Sequence, residues 1–296
     1  MQRFFASVLL GLVFGAPYAL LGLGIVLVYK GSKVFNFAQG EFATVAAFAA
    51  YLLNFYLPLP LAMLIGVLVG VLMGLGVERF VVQPLFEAPK VTLLVATAAV
   101  ATGAIAVQLA VGDAAIRSYE PLVAGDAFIA FGVPVKWQQL LVIIVLAVVA
   151  ASLYVFFSRT DTGLAVLAAS QEPIATDLVG IGTRRMSSLV WGMAGLVGGL
   201  AGVLLAAPPF ALTPGYVTSN FLIFSFVAAV VGGMTSLPGA VLGGLILGWV
   251  QAFSSSYLNR IGWVADNLPS APEVAVFVLL LLVLAVRPTG LLGKDV

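Results

Sequence analysis

Leu140-Leu141-Val142-Ile143-Ile144-Val145-Leu146-Ala147-Val148-Val149-Ala150-Ala151 contains no polar side chain. A strand of a membrane barrel alternates apolar and polar residues, and this run does not. The apolar segment around it, 138–157, has roughly 20 residues, enough to cross ~30 Å of hydrocarbon as a helix. Helix is the form that satisfies backbone N–H and C=O groups where lipid cannot.

The same pattern recurs along the chain. Hydrophobic segments lie near 4–29, 34–53, 59–77, 91–111, 138–157, 187–206, 221–234, 239–254 and 273–286. The segments 221–234 and 239–254 are short, so they form two tilted spans or one re-entrant pair. The expectation is an all-α membrane protein, a polytopic bundle of eight to ten spans in a single domain, 1–296. Composition agrees. Of 296 residues, 62% are hydrophobic and 8% charged, where a soluble domain carries roughly a quarter charged residues. Residues 1–30 read as a retained span, because the apolar run outlasts a signal-peptide core. No soluble domain is expected at either end.

Loop charges set the orientation. With nine spans and the C-terminus inside, Lys30, Lys33, Arg79, Lys90, Arg159, Arg184, Arg185, Arg287 and Lys294 fall inside, nine of the 13 basic residues. Arg3, Arg117, Lys136 and Arg260 fall outside. The N-terminus is then outside. An outer loop, 112–138, carries Asp113, Arg117, Glu120 and Asp126. An inner loop, 158–187, is the most polar long stretch.

Glycines recur every four residues inside spans: Gly66, Gly70 and Gly74; Gly195 with Gly199; Gly198 with Gly202; Gly239 with Gly243. Such stripes let helix backbones approach closely in lipid. They predict a tight bundle and do not identify a cargo.

No catalytic constellation is present. The chain has neither His nor Cys, which removes disulfides, Cys or His metal sites and the usual general base near neutral pH. No phosphate-binding Gly-x-x-x-x-Gly-Lys-Ser/Thr occurs; 290–295 reads Gly-Leu-Leu-Gly-Lys-Asp. No cofactor or metal is expected, and the net charge of +1 gives no argument for nucleic acid.

Three stretches stand out. Asn36-Phe37-Ala38-Gln39-Gly40-Glu41 opens the second span. It is a capped helix start, with Glu41 at the positive helix end, or it lines a polar path. In the inner loop, Pro173 starts a short helix with Ser170 or Gln171 as cap, and Ile174, Leu178 and Ile181 share one side. Gly180 or Gly182 ends it, before Arg184 and Arg185. It lies on the membrane or docks on a partner. The third stretch, 231–240, contains Thr235, Ser236, Pro238 and Gly239. It is a tight turn or a broken helix lining a cavity.

These stretches resemble the membrane-spanning permeases of ABC importers for branched-chain amino acids, the LivH type. Residues 22–29 followed by Asn36-Phe37-Ala38-Gln39-Gly40-Glu41-Phe42 are similar to the family's Asn-Phe-Ala-His/Gln-Gly-Glu opening. Residues 231–245 look like its Gly-Gly-x-x-Ser-x-Pro-Gly-Ala-x-x-Gly segment. Arg287-Pro288-Thr289-Gly290-Leu291-Leu292-Gly293 looks like its C-terminal signature. The resemblance runs nearly end to end and covers all three in order.

The resemblance implies that 165–185 couples to a cytoplasmic ATPase. Its contact candidates are Glu172, Ile174, Ala175, Asp177, Leu178, Gly180, Ile181, Arg184 and Arg185. The family's Glu-Ala-Ala-x-x-x-Gly-Ile reads Ile174-Ala175-Thr176-Asp177-Leu178-Val179-Gly180-Ile181 here, with Glu172 two residues before the family's Glu position. The resemblance also implies a second, related permease subunit, two ATPases and an extracytoplasmic substrate-binding protein, in a bacterial inner membrane. Pathway candidates are Asn36, Gln39, Gly40, Glu41, Thr235, Ser236, Pro238 and Gly239. Cargo is a hydrophobic amino acid, with urea, short amides or another small solute as alternatives. An ion-coupled transporter is a weaker rival, because Glu41 is the only acidic residue clearly inside a predicted span. A channel lacks a filter motif, and a membrane enzyme lacks catalytic groups.

Overall fold

The computed structural model describes residues 1–112, 114–208, 210–268 and 270–293. Asp113 and Lys294, used above in reading the loops, lie outside the described residues. Each of the nine predicted segments contains a helix. These are α1 (Gln2–Ser32), α2 (Gln39–Leu53), α3 (Leu59–Val77) and α4 (Lys90–Gly112). An outer hairpin follows, β1 (Asp126–Ala130) and β2 (Val133–Lys136), then α5 (Trp137–Arg159). The inner loop folds as α6 (Asp161–Gln171) and α7 (Pro173–Leu178). The rest is α8 (Thr183–Leu205), α9 (Ile223–Gly232), α10 (Leu237–Tyr257), a short α11 (Gly262–Asn267) and α12 (Ala271–Val286). Among the described residues, six helices are long and apolar enough to cross a membrane unaided: α1, α3 with its extension to Leu85, α4, α5, α8 and α10.

The bundle is built on α1, which is 31 residues long and therefore about 46 Å at 1.5 Å per residue. Its last two-thirds are buried. Glycine decides what lies against it. A side chain at Gly11 or Gly15 would strike α10, and one at Gly244 or Gly248 would strike α1. Trp249 spans the same seam and donates its Nε1–H to the Val8 carbonyl at 3.1 Å.

The predicted stripes also meet. A Cβ on Gly70 would lie 2.9 Å from the Gly195 oxygen, and one on Gly199 would lie 3.0 Å from Val67 Cα. Gly202 faces the Ala43 carbonyl on α2, and Gly239 and Gly243 face α9. On the other side of α3, Leu61, Leu64, Leu68 and Leu72 are exposed. Glycine inward and leucine outward inverts a water-soluble helix, and it fits a protein whose solvent is lipid.

The second predicted span, 34–53, is helical only from Gln39. After α1 ends at Ser32, Lys33 takes a left-handed conformation (φ 56°) and the chain turns back in extended form. Gln39 packs on Gly24 of α1, where a Cβ would collide with its amide. Gly24 lies eight residues, or about 12 Å, back from the end of α1. Helix α2 thus starts within the bundle, which is why it needs only 15 residues.

The two ends of the molecule are distinct. Near the N-terminus, Phe5 stacks on Phe131 of the hairpin, with ring centres 4.9 Å apart. At the other end, Leu291 and Leu292 donate to the Val231 and Gly232 carbonyls at 2.8 and 2.9 Å. The described ends of the chain therefore lie on opposite faces, as an odd number of crossings requires. The loop-charge rule expects the face with Lys30, Lys33, Arg184 and Arg185 to be the cytoplasmic one.

Candidate functional site

Asn36, Gln39 and Glu41 are wholly buried. The Asn36 side-chain Oδ1 accepts from Ala38 N–H at 3.0 Å, and its Nδ2 donates to Gln39 Oε1 at 3.2 Å. It holds a turn two residues ahead of the helix; the residue at the cap position is Ala38. Gln39 Nε2 donates to the Ala194 carbonyl of α8 at 3.0 Å. Phe37 N–H donates to Thr97 Oγ1 of α4 at 3.2 Å. The extended turn thereby finds partners for polar groups that lipid would leave bare.

Glu41, in the first turn of α2, accepts from Gln108 Nε2 of α4 and from Thr218 Oγ1 at 2.6 Å. Gln108 Oε1 accepts from Gly215 N–H at 3.0 Å, and Thr44 Oγ1 accepts from Val217 N–H at 3.3 Å. Gly40 lets the backbone of Thr218 close on α2. One carboxylate and two amides thus tie together α2, α4, α8 and the lead-in to α9. The sequence reading found Asn36, Gln39 and Glu41 but not Thr97, Gln108 or Thr218. Thr97 and Gln108 are single polar residues in apolar surroundings, and Thr218 opens a Thr-Ser-Asn step with no motif that pairs it with Glu41. Two other acidic residues also qualify the expectation for Glu41. Glu78 is buried past the end of α3, accepting from Ser188 at 2.7 Å, and Glu273 lies in the first turn of α12.

The stretch 231–240 forms a turn at the end of the bundle that carries Lys30. Gly233 adopts φ 106° and lies against Gly293 and the Thr289 carbonyl, with no room for a side chain. Ser236 caps α10, its hydroxyl accepting from Gly239 N–H at 3.1 Å, and Pro238 follows in the first turn. Lys30 Nζ donates to the Thr235 carbonyl at 3.3 Å. Thr235, Ser236 and Pro238 line a cavity of about 320 Å³ with Lys30 and Lys33. Gly239 is buried against Gly232.

The inner-loop helix is shorter than its apolar spacing suggested. Ser170 and Gln171 finish α6, and Glu172 occupies the cap position before Pro173. Helix α7 ends at Leu178, and Gly180 follows with φ 87°. Thr176 is the buried residue of α7, donating its hydroxyl to the Glu172 carbonyl at 2.7 Å. Asp177 accepts from both N–H and Oγ1 of Thr183, at 3.0 Å each, and so anchors the start of α8. Arg184 and Arg185 occupy that first turn and are exposed. The apolar side faces away from the protein: Ile174 is 79% exposed, Leu178 83% and Val179 73%, with Ile181 half-buried.

Apolar helices of bilayer length with leucine on their outer faces define a multi-pass membrane protein. The chain belongs to the family described as branched-chain amino acid transport system / permease component, whose model matches residues 7–287. It is therefore a permease subunit of an ABC importer, not an enzyme, seated in the inner membrane. It is 30% identical over 301 residues to the high-affinity branched-chain amino acid transport system permease protein BraD of Pseudomonas aeruginosa, covering 96% of this chain and 94% of that protein. It is 28% identical to the permease protein LivH of Escherichia coli K12, over 96% and 94% of the two chains. A probable LivH of Methanocaldococcus jannaschii is 27% identical over 96% and 91%. No solved structure matches the chain.

Proposed function

We propose that this chain forms half of the path by which branched-chain amino acids, or closely similar apolar ones, enter the cell. A second related permease subunit supplies the other half, two cytoplasmic ATPases drive it, and an extracytoplasmic binding protein delivers the cargo. The observation that carries this reading is the outward apolar face of α7. Ile174, Leu178 and Val179 are exposed beside Arg184 and Arg185 at the cytoplasmic end, as a helix seated in a partner's groove requires. Asp177 ties that helix to Thr183 at the head of α8, so force applied to α7 reaches a span. ATP binding shifts the permease only if the ATPase binds one of its states more tightly. A rigidly anchored α7 is what lets the two states be told apart. Asn36, Gln39, Gly40 and Glu41 hold the half-length α2 against the moving helices, and Thr235, Ser236, Pro238 and Gly239 shape the cytoplasmic exit.

Reconstitution tests the reading. Vesicles holding both permeases and both ATPases are expected to take up leucine, isoleucine or valine only with ATP and the loaded binding protein. Gradient-driven flux by this chain alone would refute the coupling, and a binding protein that takes urea alone would refute the cargo.

A further inference from the structure

A second polar cluster lies against α1. Near the middle of α1, Pro17 interrupts the helix ladder and Tyr18 follows it. Tyr18 packs on Phe224 and Phe221, with ring centres 5.3 and 5.8 Å away, and Phe221 in turn meets Tyr216 at 5.7 Å. These aromatic walls enclose a cavity of about 350 Å³, also lined by Asn220, Gln251, Ser255 and Glu273, a volume in the range of small-molecule pockets. Tyr18 donates its hydroxyl to Gln251 Oε1 at 2.7 Å, which fixes the amide and leaves Nε2 to donate. Asn220 belongs to a π-helical turn (Thr218–Leu222) that leads into α9, an irregularity frequent at functional sites.

Asn220, Ser255 and Glu273 are exposed on the isolated chain. Glu273 lies in the first turn of α12 and Ser255 in the last turn of α10, so the polar side of the cavity opens near one end of the bundle, where a water-filled path can reach it. The same face contrasts with α3, whose exposed residues at span depth are leucines.

We propose that this cavity, between α1, α9, α10 and α12, is the outward-half resting site for the cargo. It suits a zwitterion with an aliphatic tail. The Glu273 carboxylate takes the ammonium group, the Gln251 amide takes the carboxylate, and Tyr18, Phe221 and Phe224 hold the tail. The inference rests on the amino-acid cargo read above. The open side of the cavity is closed by the second permease, so the complete transporter must be used.

The chain has no cysteine, so single cysteines can be introduced without removing others. In vesicles holding the full transporter, Asn220→Cys and Ser255→Cys should react with a charged, membrane-impermeant thiosulfonate at least tenfold faster than Leu282→Cys, a position exposed on α12. Glu273→Gln should lower leucine uptake at least tenfold while the ATPase response to loaded binding protein persists, and Glu273→Asp should restore part of the uptake. Labelling as slow as at Leu282→Cys would overturn the proposal, and so would normal uptake by Glu273→Gln. If the wild-type complex imports no leucine, the cargo reading fails. The labelling, which needs no cargo, still decides whether this cavity is on the water path.

Discussion

The start of α2 and the tip of the α6–α7 loop break the same rule in opposite directions. At Glu41 a carboxylate is buried among helices; at Leu178 an aliphatic side chain is exposed at the tip of a loop. The Glu41 anomaly is resolved within the chain, because Gln108 and Thr218 supply its donors. The Leu178 anomaly has no internal resolution, since its neighbours Ile174 and Val179 are exposed too. A misplaced residue whose partners are present holds the fold together. One whose partners are missing marks where another molecule comes.

That contrast predicts opposite mutational signatures. Glu41→Leu strands the buried Gln108 amide and the half-buried Thr218 hydroxyl, and an unsatisfied buried donor costs about 1–3 kcal/mol, so stability should fall by at least that much. A large drop in the detergent melting temperature is expected, and Glu41→Gln should recover part of it. A melting curve for Glu41→Leu like wild type would break the first half of the comparison.

Leu178→Asp should leave melting within about 0.5 kcal/mol, as for an ordinary surface site, yet cut ATP-driven uptake at least tenfold and weaken co-purification of the ATPases. Unchanged uptake would show that the docking surface is elsewhere. Asp177→Ala removes the acceptor for Thr183 at the head of α8, a loss of about 1 kcal/mol by analogy with helix caps. A modest fall in melting temperature together with weaker coupling would confirm that one residue serves both roles.

The smallest effect belongs to Gly180. Nothing lies within contact of a Cβ there, but φ is 87°, so Gly180→Ala should cost about 1 kcal/mol of local strain and reduce uptake only partly. Complete loss of uptake would mean that a partner presses directly on this glycine.

The sequence conveyed the bundle well because lipid imposes a simple code. An apolar run of bilayer length has one fold available to it, and glycines four apart mark close packing whatever they pack against. The pairs Gly70–Gly195 and Gly202–Ala43 were legible as stripes but not as pairs. The polar site was half legible. Asn36, Gln39 and Glu41 form a local cluster, whereas Thr97, Gln108 and Thr218 come from distant segments. The inner loop was legible in its ends, Pro173 and Gly180, but not in the direction its apolar side faces. The spacing of Ile174, Leu178 and Ile181 describes a helix that Pro173 starts but Gly180 keeps to six residues. Whether its apolar side faces in or out depends on tertiary contacts that spacing does not contain. The outer hairpin had no forewarning, since its strands are only five and four residues long.

The inequality of the helices has a consequence for the host membrane. Long α1 and short α2 are enclosed by other helices, so neither gauges acyl-chain length. Much of the surface presented to lipid belongs to α4 and α5, each 23 residues long and about 35 Å by helical rise. Thickness mismatch costs fractions of a kcal/mol per ångström, and here it falls on the rim while the hub around α1 is insulated. Thinner or thicker bilayers should therefore tilt the periphery and leave the spacing of the central seams unchanged.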